Sequence, residues 1–234
     1  MISLHPANQR GHAQHGWLES WHSFSFGDYY DPTKMGFASL RVINDDYIAP
    51  SAGFPTHPHR DMEIITYVLS GELAHQDSMG NGSTIYAGDV QKMSAGTGIK
   101  HSEFNPSADT PVHLLQIWIQ PAQRGVTPSY AQIHVSQQDK QGKFCLIAAP
   151  EHAPILLHQD VKLYAAMLNA GETLTHQFAA NHLGYLHVAT GSIVINKQTL
   201  NAGDALSLEN ETSITISTPN QAEILLFDIN STAT

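Results

Sequence analysis

The chain has 234 residues, which is enough for one large all-β unit or for two domains of about a hundred residues. Eleven basic against 21 acidic residues give a net charge of −10 without a cluster of Lys and Arg, which argues against direct binding of nucleic acid. Cys145 is the one cysteine, so the sequence excludes an internal disulfide and a thiolate-built metal site. No apolar run reaches the roughly 18 residues of a membrane span, and we expect a monomeric cytoplasmic protein without a membrane partner.

Short stretches rich in Ile, Val, Leu and aromatic residues recur along the whole chain, separated by turns that contain Gly or Asn. Such stretches are typical of strands, and many short strands with regular turns predict a β-sandwich or β-barrel. In chain order, the predicted strands are Phe37–Ile43, Glu63–Leu69, Gly82–Tyr86, Val112–Ile119, Lys143–Ala148, Leu163–Leu168, Gly184–Val188, Ser192–Ile195, Ser213–Ser217 and Glu223–Ile229.

A weak internal repeat indicates two related units. The segments 67–90 and 187–205 each contain a strand, an (S/T)-G turn, a return strand and an A-G-D turn. Repetition of this kind favours two copies of one double-sheet unit. The polar segment from about residue 120 to 141 separates the copies. We therefore predict an N-terminal domain over residues 1–130 and a C-terminal domain over residues 131–234.

Two motifs in the first half carry potential metal ligands: His57-Pro58-His59 and His101-Ser102-Glu103. Residues two apart in a strand point to the same face, so each motif presents a pair of ligands to one side. If the two strands face one another, three imidazoles and a carboxylate converge, and such a set suits divalent transition metals. The second half has no comparable H-x-H motif, so only the first domain is predicted to bind metal by this device.

Spacing alone leaves two alternatives for the carboxylate ligand. Glu63 lies four residues after His59, and Glu103 lies two residues after His101. Strand parity turns both carboxylates towards the histidines, unless a bulge intervenes between His59 and Glu63.

The glycines and histidines of this region resemble a known pattern. Gly53, the H-x-H pair, Glu63 and Gly71, followed by a second glycine-rich turn and His101, resemble the two cupin motifs, although Ser94-Ala95 stands where many cupins have proline. Longer strings extend the similarity over nearly the whole chain. They are G-W-L…W-H-S-F-S-F within Gly16–Phe26, then Leu40–Asp46, Thr56–Glu63 and Met93–Glu103. Together they resemble the pirin family, a branch of proteins with two cupin domains.

The resemblance implies a bicupin fold, with two double-stranded β-helix (jelly-roll) barrels. It also implies that His57, His59, His101 and Glu103 hold the metal, which leaves Glu63 with a structural role. We expect one divalent transition metal ion and no organic cofactor site. Fe²⁺ is favoured by cellular availability, and Mn²⁺, Ni²⁺, Cu²⁺ or Zn²⁺ are alternatives.

Some bacterial pirin-like proteins are quercetin 2,3-dioxygenases, so the resemblance implies a metal-dependent enzyme. The expected reaction opens the central ring of a flavonol with O₂ and releases CO, and Glu103 is the expected general base. One alternative is a non-enzymatic, iron-binding redox sensor that acts through a protein partner, as the similarity to eukaryotic pirin suggests. A second alternative is a bicupin isomerase or another small-molecule enzyme.

Two further groups of residues are predicted to have packing roles. His75, His113 and His187 lie in strand-like stretches and are predicted to be ordinary core or surface residues. An aromatic string in the first thirty residues could line a pocket, but packing is the favoured interpretation. Its members are Trp17, Trp21, Phe24, Phe26, Tyr29 and Tyr30.

Overall fold

A computed structural model of the chain describes residues 1–232, which fold almost entirely into β-strands. The helical segments among these residues are a 3₁₀ turn at Ala7–Gln9 and one short α-helix, α1, at Gln137–Lys140. Ser136 caps α1, because its hydroxyl accepts a hydrogen bond from the backbone N–H of Asp139. Within the described range, neither helical segment is long and apolar enough to cross a membrane. The prediction of an all-β protein is confirmed.

The chain forms two compact units. Residues 11–134 make up the first, which we call the N-terminal unit. Residues 1–10 join the chain from Val135 onward in the second, which we call the C-terminal unit. The division lies close to the predicted boundary at residue 130. The first ten residues differ from the prediction, because a strand at the start of the chain pairs within the C-terminal unit.

The first twelve strands begin with this N-terminal strand and continue through the N-terminal unit. In chain order, β1–β12 are Ile2–His5, Gly11–Gln14, Leu18–His22, Leu40–Ile48, Gly53–His59, Glu63–Ser70, Glu72–Asp77, Gly82–Tyr86, Asp89–Ser94, Ile99–Phe104, Val112–Ile119 and Ser129–His134. The remaining ten belong to the C-terminal unit. In chain order, β13–β22 are Cys145–Ala149, Ile155–Leu156, Val161–Leu168, Thr173–Gln177, His182–Thr190, Ser192–Ile195, Gln198–Asn201, Ala205–Leu208, Ser213–Ser217 and Ala222–Asn230.

Each unit has a seven-stranded and a four-stranded sheet, and the strand orders correspond except at the edges of the larger sheet, where β2 is antiparallel to β3 but β14 is parallel to β13. The N-terminal unit has a seven-stranded sheet, β12-β9-β6-β11-β4-β3-β2, and a four-stranded sheet, β5-β10-β7-β8. The C-terminal unit has the sheets β1-β20-β17-β22-β15-β13-β14 and β16-β21-β18-β19. The repeated turns match as well: Gly71 and Gly191 have φ values of +78° and +74°, a region that glycine enters without strain. The structure therefore contains the repeat that the sequence indicates.

The strand predictions are correct in position and less accurate at the ends. All ten predicted strands are present, and four of them have the predicted bounds: Gly82–Tyr86, Val112–Ile119, Ser192–Ile195 and Ser213–Ser217. The predicted start of Phe37–Ile43 is wrong, because β4 begins at Leu40. Ala38 adopts a positive φ of 49° in a tight turn that brings Phe37 opposite Leu40, so the continuous strand begins only after this turn.

The two units differ in the side chains carried by one pair of equivalent strands in their four-stranded sheets. In the pairing of β16 with β21, Leu174 lies opposite Ile216 and His176 lies opposite Ile214. Ile214 and Ile216 belong to a buried aliphatic cluster, and burial of one such side chain contributes about 1.5–3 kcal/mol. The topologically equivalent strands β5 and β10 of the N-terminal unit carry polar residues, and their inner face borders a cavity.

Candidate metal centre

Strands β5 and β10 bring three histidines to one point. They are antiparallel, with His101 directly opposite His57 and Ile99 opposite His59. Because His57 and His59 are two residues apart, both imidazoles lie on the same face as that of His101. The Nε2 atom of His101 lies 3.0 Å from Nε2 of His57 and 3.0 Å from Nε2 of His59. The structure thus brings together the three histidines that the sequence singled out.

The hydrogen bonds around this cluster leave Nε2 lone pairs available to bind a cation. Nδ1 of His57 lies 2.8 Å from the carbonyl oxygen of Pro55, so Nδ1 carries the proton and Nε2 presents its lone pair to the cluster. Nδ1 of His101 is buried and has no hydrogen-bond partner among the described residues. Three nitrogens aimed at one another cannot all be satisfied by hydrogens, whereas a divalent ion between them accepts every lone pair. These residues fit a metal ion.

The protonation state of two of these histidines also favours metal binding. Burial, together with the smaller effects of the neighbouring rings of His101 and His57, lowers the pKa of His59 to about 4. Burial and, to a smaller extent, the rings of His57 and His75 together lower the pKa of His101 to about 3. Both imidazoles are therefore neutral near pH 7, and neutral imidazole is the form that binds metals.

Glu103 occupies a polar niche beside the histidine cluster. The pairing of β10 with β5 shifts register between His101 and Glu103, whereas the pairing with β7 places Glu103 directly opposite His75. The carboxylate is buried, and it accepts hydrogen bonds from Nε2 of Gln116 at 3.2 and 3.1 Å and from the hydroxyl of Thr66 at 3.3 Å. Two neighbouring side chains therefore hold its orientation.

The potential ligand atoms form two overlapping groups. Those of His57, His59 and His101 lie within 4.8 Å of one another, and so do those of His75, His101 and Glu103. His101 is common to both groups. His75 is a buried residue of β7 with Nε2 3.4 Å from Oδ2 of Asp77, which agrees with its prediction as a core residue of a strand, but it also lies next to His101 and Glu103. Its role depends on the register of β7 against β10, which no local motif reveals.

Glu63 lies outside both groups of potential ligands. Strand β5 ends at His59 and β6 begins at Glu63 in the other sheet, with Asp61 at φ +49° between them, so strand parity does not carry across. Oε2 of Glu63 lies 3.6 Å from Nζ of Lys92, and both side chains are almost completely buried. Glu63 therefore belongs to a buried ion pair.

A cavity of about 830 Å³ opens beside the three histidines and is lined by residues of both sheets of the N-terminal unit. The Trp118 ring packs edge-on against His59, with ring centroids 5.0 Å apart, and edge-on against Phe26 at 5.3 Å. The pocket alternative for the aromatic string applies to three of its members, and one of these, Trp17, also packs against the core as predicted. Those that line the cavity are Trp17, Phe26 and Tyr29.

The C-terminal unit shows no equivalent group. Within residues 1–232, both groups of three potential metal ligands lie in the N-terminal unit. In the C-terminal unit, Nε2 of His176 and Nδ1 of His182 bond to the two carboxylate oxygens of Asp228, at 3.0 and 2.6 Å. The hydrogen-bonding groups of these three side chains are therefore paired with one another.

Two repeated β-units, one with a histidine-rich ligand group beside a cavity, define a metal-binding bicupin protein. The family model named Pirin matches residues 4–119, and the model named Quercetinase C-terminal cupin domain matches residues 146–229. Full-length relatives extend the similarity. A protein of Escherichia coli (strain K12) named Quercetin 2,3-dioxygenase is 49% identical over 98% of this chain and 99% of its own length. The chain belongs to the pirin family.

Two other relatives agree with this assignment. A Pirin-like protein of Caulobacter vibrioides is 45% identical over 97% of this chain and 99% of its own length. The crystal structure of the bacterial pirin YhhW from E. coli in complex with nickel(II) has 48% identity and a TM-score of 0.92, over 98% of this chain and 99% of that one. These similarities confirm the predicted family and bicupin fold, and the prediction of an enzyme similar to quercetin 2,3-dioxygenases.

Proposed function

We propose that this protein is a metal-dependent dioxygenase that cleaves the central ring of flavonols such as quercetin with O₂ and releases CO. The observation that carries the proposal is the convergence of three histidine Nε2 atoms at an aromatic-lined cavity. A volume of about 830 Å³ lies within the range of pockets that enclose drug-sized molecules. The relatives named for this activity support the choice of substrate.

We further propose that His57, His59, His101 and Glu103 hold the ion. We favour Fe²⁺ because of its cellular availability, and the nickel(II) complex of the E. coli relative makes Ni²⁺ the first alternative. A bound divalent ion would supply Lewis acidity to a coordinating hydroxyl and a centre for reaction with dioxygen.

The residues of the chain then have distinct tasks. The aromatic walls, Trp118 among them, hold a flat ligand and exclude water from the cavity. An oxygen of Glu103 accepts the proton of the flavonol 3-hydroxyl as general base, while the Gln116 amide keeps the carboxylate oriented. Each turnover consumes one flavonol and one O₂, and one carbon leaves as CO while the product keeps the remaining atoms.

The test is CO release by the metal-loaded protein. The protein is loaded anaerobically with Fe²⁺, Mn²⁺, Ni²⁺ or Cu²⁺ in turn, and CO is measured after addition of quercetin and air. We expect catalytic CO release with at least one ion and its loss in His59→Ala. His134→Ala is the matched control, because this histidine of the same unit is largely exposed and bonds to Asp89.

A filled site without CO release under any of these ions would contradict the proposal and favour the metal-dependent regulator. Glu103→Gln distinguishes the two roles of the carboxylate. Loss of turnover with retained metal is expected for a general base, whereas loss of the ion itself is expected for an essential ligand.

A further inference from the structure

The cavity has a second polar region in addition to the histidines and Glu103. It lies on the seven-stranded sheet, where β3 contributes Ser20 and His22 and β4 contributes Asn44 and Asp46. In the register of these strands Ser20 is opposite Asp46, and His22 is opposite Asn44. All four side chains are buried and line the same cavity as the histidines.

Hydrogen bonds in this region run in one direction and end at Asp46. Nδ1 of His22 lies 2.8 Å from the side-chain oxygen of Asn44, which only accepts, so Nδ1 of His22 carries the proton. The same nitrogen lies 3.3 Å from the Ser20 hydroxyl oxygen, which accepts a weaker bond from it. The Ser20 hydroxyl in turn donates to Oδ1 of Asp46. Ser20 therefore fixes the position of the carboxyl group.

Asp46 is under-satisfied for a buried acidic group. Within residues 1–232, the Ser20 hydroxyl is its hydrogen-bond partner, and it bonds to Oδ1. A buried carboxyl group usually has several hydrogen bonds or an ion pair, because burial of a charge or polar atom without partners is costly. The second oxygen can thus bind a ligand that enters the cavity. Burial raises the pKa of Asp46 to about 7, and a neutral carboxyl both donates and accepts hydrogen bonds.

The surrounding walls indicate which ligand this is. Aromatic rings suit a flat aromatic body, and the carboxyl group suits a hydroxyl attached to it. We propose that Asp46, positioned by Ser20, binds a hydroxyl of a polyhydroxylated aromatic substrate at a point of the cavity separate from the metal ligands. This inference rests on the proposed function and adds the group that selects among its substrates.

The test compares two flavonoids that share the 3-hydroxyl. Quercetin has further hydroxyls, and 3-hydroxyflavone has none. Binding of each is measured anaerobically by calorimetry on the Zn²⁺-loaded protein, so that no turnover contributes. We expect the wild type to bind quercetin about tenfold more tightly, which corresponds to one well-formed hydrogen bond, and Asp46→Val to lose this preference while binding 3-hydroxyflavone normally.

Asp45→Val is the matched control. Asp45 is the next residue on β4, points to the opposite face and bonds to His113 at 2.7 Å, so its loss is expected to leave the preference unchanged. If Asp46→Val does not fold, Ser20→Ala serves instead, because it removes the donor that positions Asp46 and is expected to reduce the preference. Circular dichroism and zinc content verify each variant.

Two outcomes would overturn the inference: equal affinity of the wild type for both flavonoids, or an unchanged preference in Asp46→Val, which includes the same proportional loss of affinity for both ligands. The result is independent of turnover. A preference that depends on Asp46 in a protein that releases no CO would contradict the dioxygenase proposal alone. CO release with an unaltered preference in Asp46→Val would contradict this inference alone.

Discussion

The side-chain amide of Gln116 donates hydrogen bonds to both carboxylate oxygens of Glu103, at 3.2 and 3.1 Å. Gln116 is itself opposite Thr66 on β6 and Asn44 on β4, so a row of polar side chains crosses neighbouring strands of the seven-stranded sheet. Asn44 and Gln116 of this row line the cavity, and Thr66 and Gln116 contact Glu103 of the four-stranded sheet. The orientation of the proposed carboxylate ligand is therefore set by the opposite sheet.

Replacement of Gln116 by leucine should weaken metal binding. Gln116→Leu keeps a similar volume but leaves Glu103 with the Thr66 hydroxyl, so we expect metal affinity to fall about 10–100-fold, as is typical for partners of ligands. Competition with a chelating dye measures this. Gln132→Leu is the control, because Gln132 donates to Asp89 at 3.0 Å in the same unit. Equal affinities for both variants would show that Gln116 does not position the ligand.

The buried pair of Glu63 and Lys92 should contribute to stability and not to metal binding. Glu63→Gln leaves the buried Lys92 ammonium without its counter-charge, so we expect the free energy of unfolding to fall by about 3–5 kcal/mol. The double variant Glu63→Leu/Lys92→Met should recover most of this loss. Urea unfolding and metal analysis check both expectations. Loss of the ion from a stable Glu63→Gln protein would instead identify Glu63 as a ligand.

Trp118 should contribute to flavonol binding through its ring alone. Nε1 of Trp118 has no hydrogen-bond partner in the described structure, so Trp118→Phe should bind quercetin nearly as well as the wild type. Trp118→Ala should bind it about tenfold less tightly, since an aromatic contact and its buried area are lost. Calorimetry checks both, with Trp21→Ala as control because Trp21 does not line the cavity. If Trp118→Phe instead bound quercetin much less tightly than the wild type, the indole nitrogen would have a role in binding.

The acidity of Asp46 predicts how stability depends on pH. Burial, with smaller contributions from the charges of Asp45 and Glu103, raises its pKa from 3.8 to about 7, against the opposing hydrogen bond from Ser20. Between these values the folded protein retains a proton that the unfolded chain releases, so the free energy of unfolding falls as the pH rises. We compare the free energies of unfolding of metal-free Asp46→Asn and the metal-free wild type. Between about pH 4 and pH 7, we expect the difference to shift in favour of Asp46→Asn by up to about 4 kcal/mol. Parallel urea-unfolding profiles for the two proteins would contradict this assignment.

The convergence of the histidines could be predicted because its signals are local. A spacing of two residues within His57–His59 places both rings on one face, and only the pairing of β5 with β10 had to be supplied. The predicted strands also rest on local composition, which explains why their positions are more accurate than their ends. The turn at Ala38 shows why a strand end can be missed: a positive φ is usually signalled by glycine, and here the residue is alanine.

The rest of the centre depends on pairings between distant segments. Glu103 lies opposite His75 because of the register of β10 against β7. Glu103 also accepts a hydrogen bond from Gln116, which belongs to the other sheet. Asp46 and Ser20 are ordinary strand residues in the sequence, and their contact requires β3 to pair with β4. None of these relationships has a short motif, so sequence reasoning could not assign them.

The pairing of β1 with β20 has a consequence for how the chain folds. Ile2 lies opposite Leu208, so β1 cannot pair until a strand about 200 residues later in the chain has been synthesised. At 5–20 residues per second, this delay is roughly 10–40 s. The N-terminal unit uses only the continuous segment 11–134 and can form during that interval, whereas the C-terminal unit must recruit a strand across its separation in sequence. Removal of residues 1–10 should therefore slow or prevent folding of the C-terminal unit, and leave the unit of residues 11–134 able to fold.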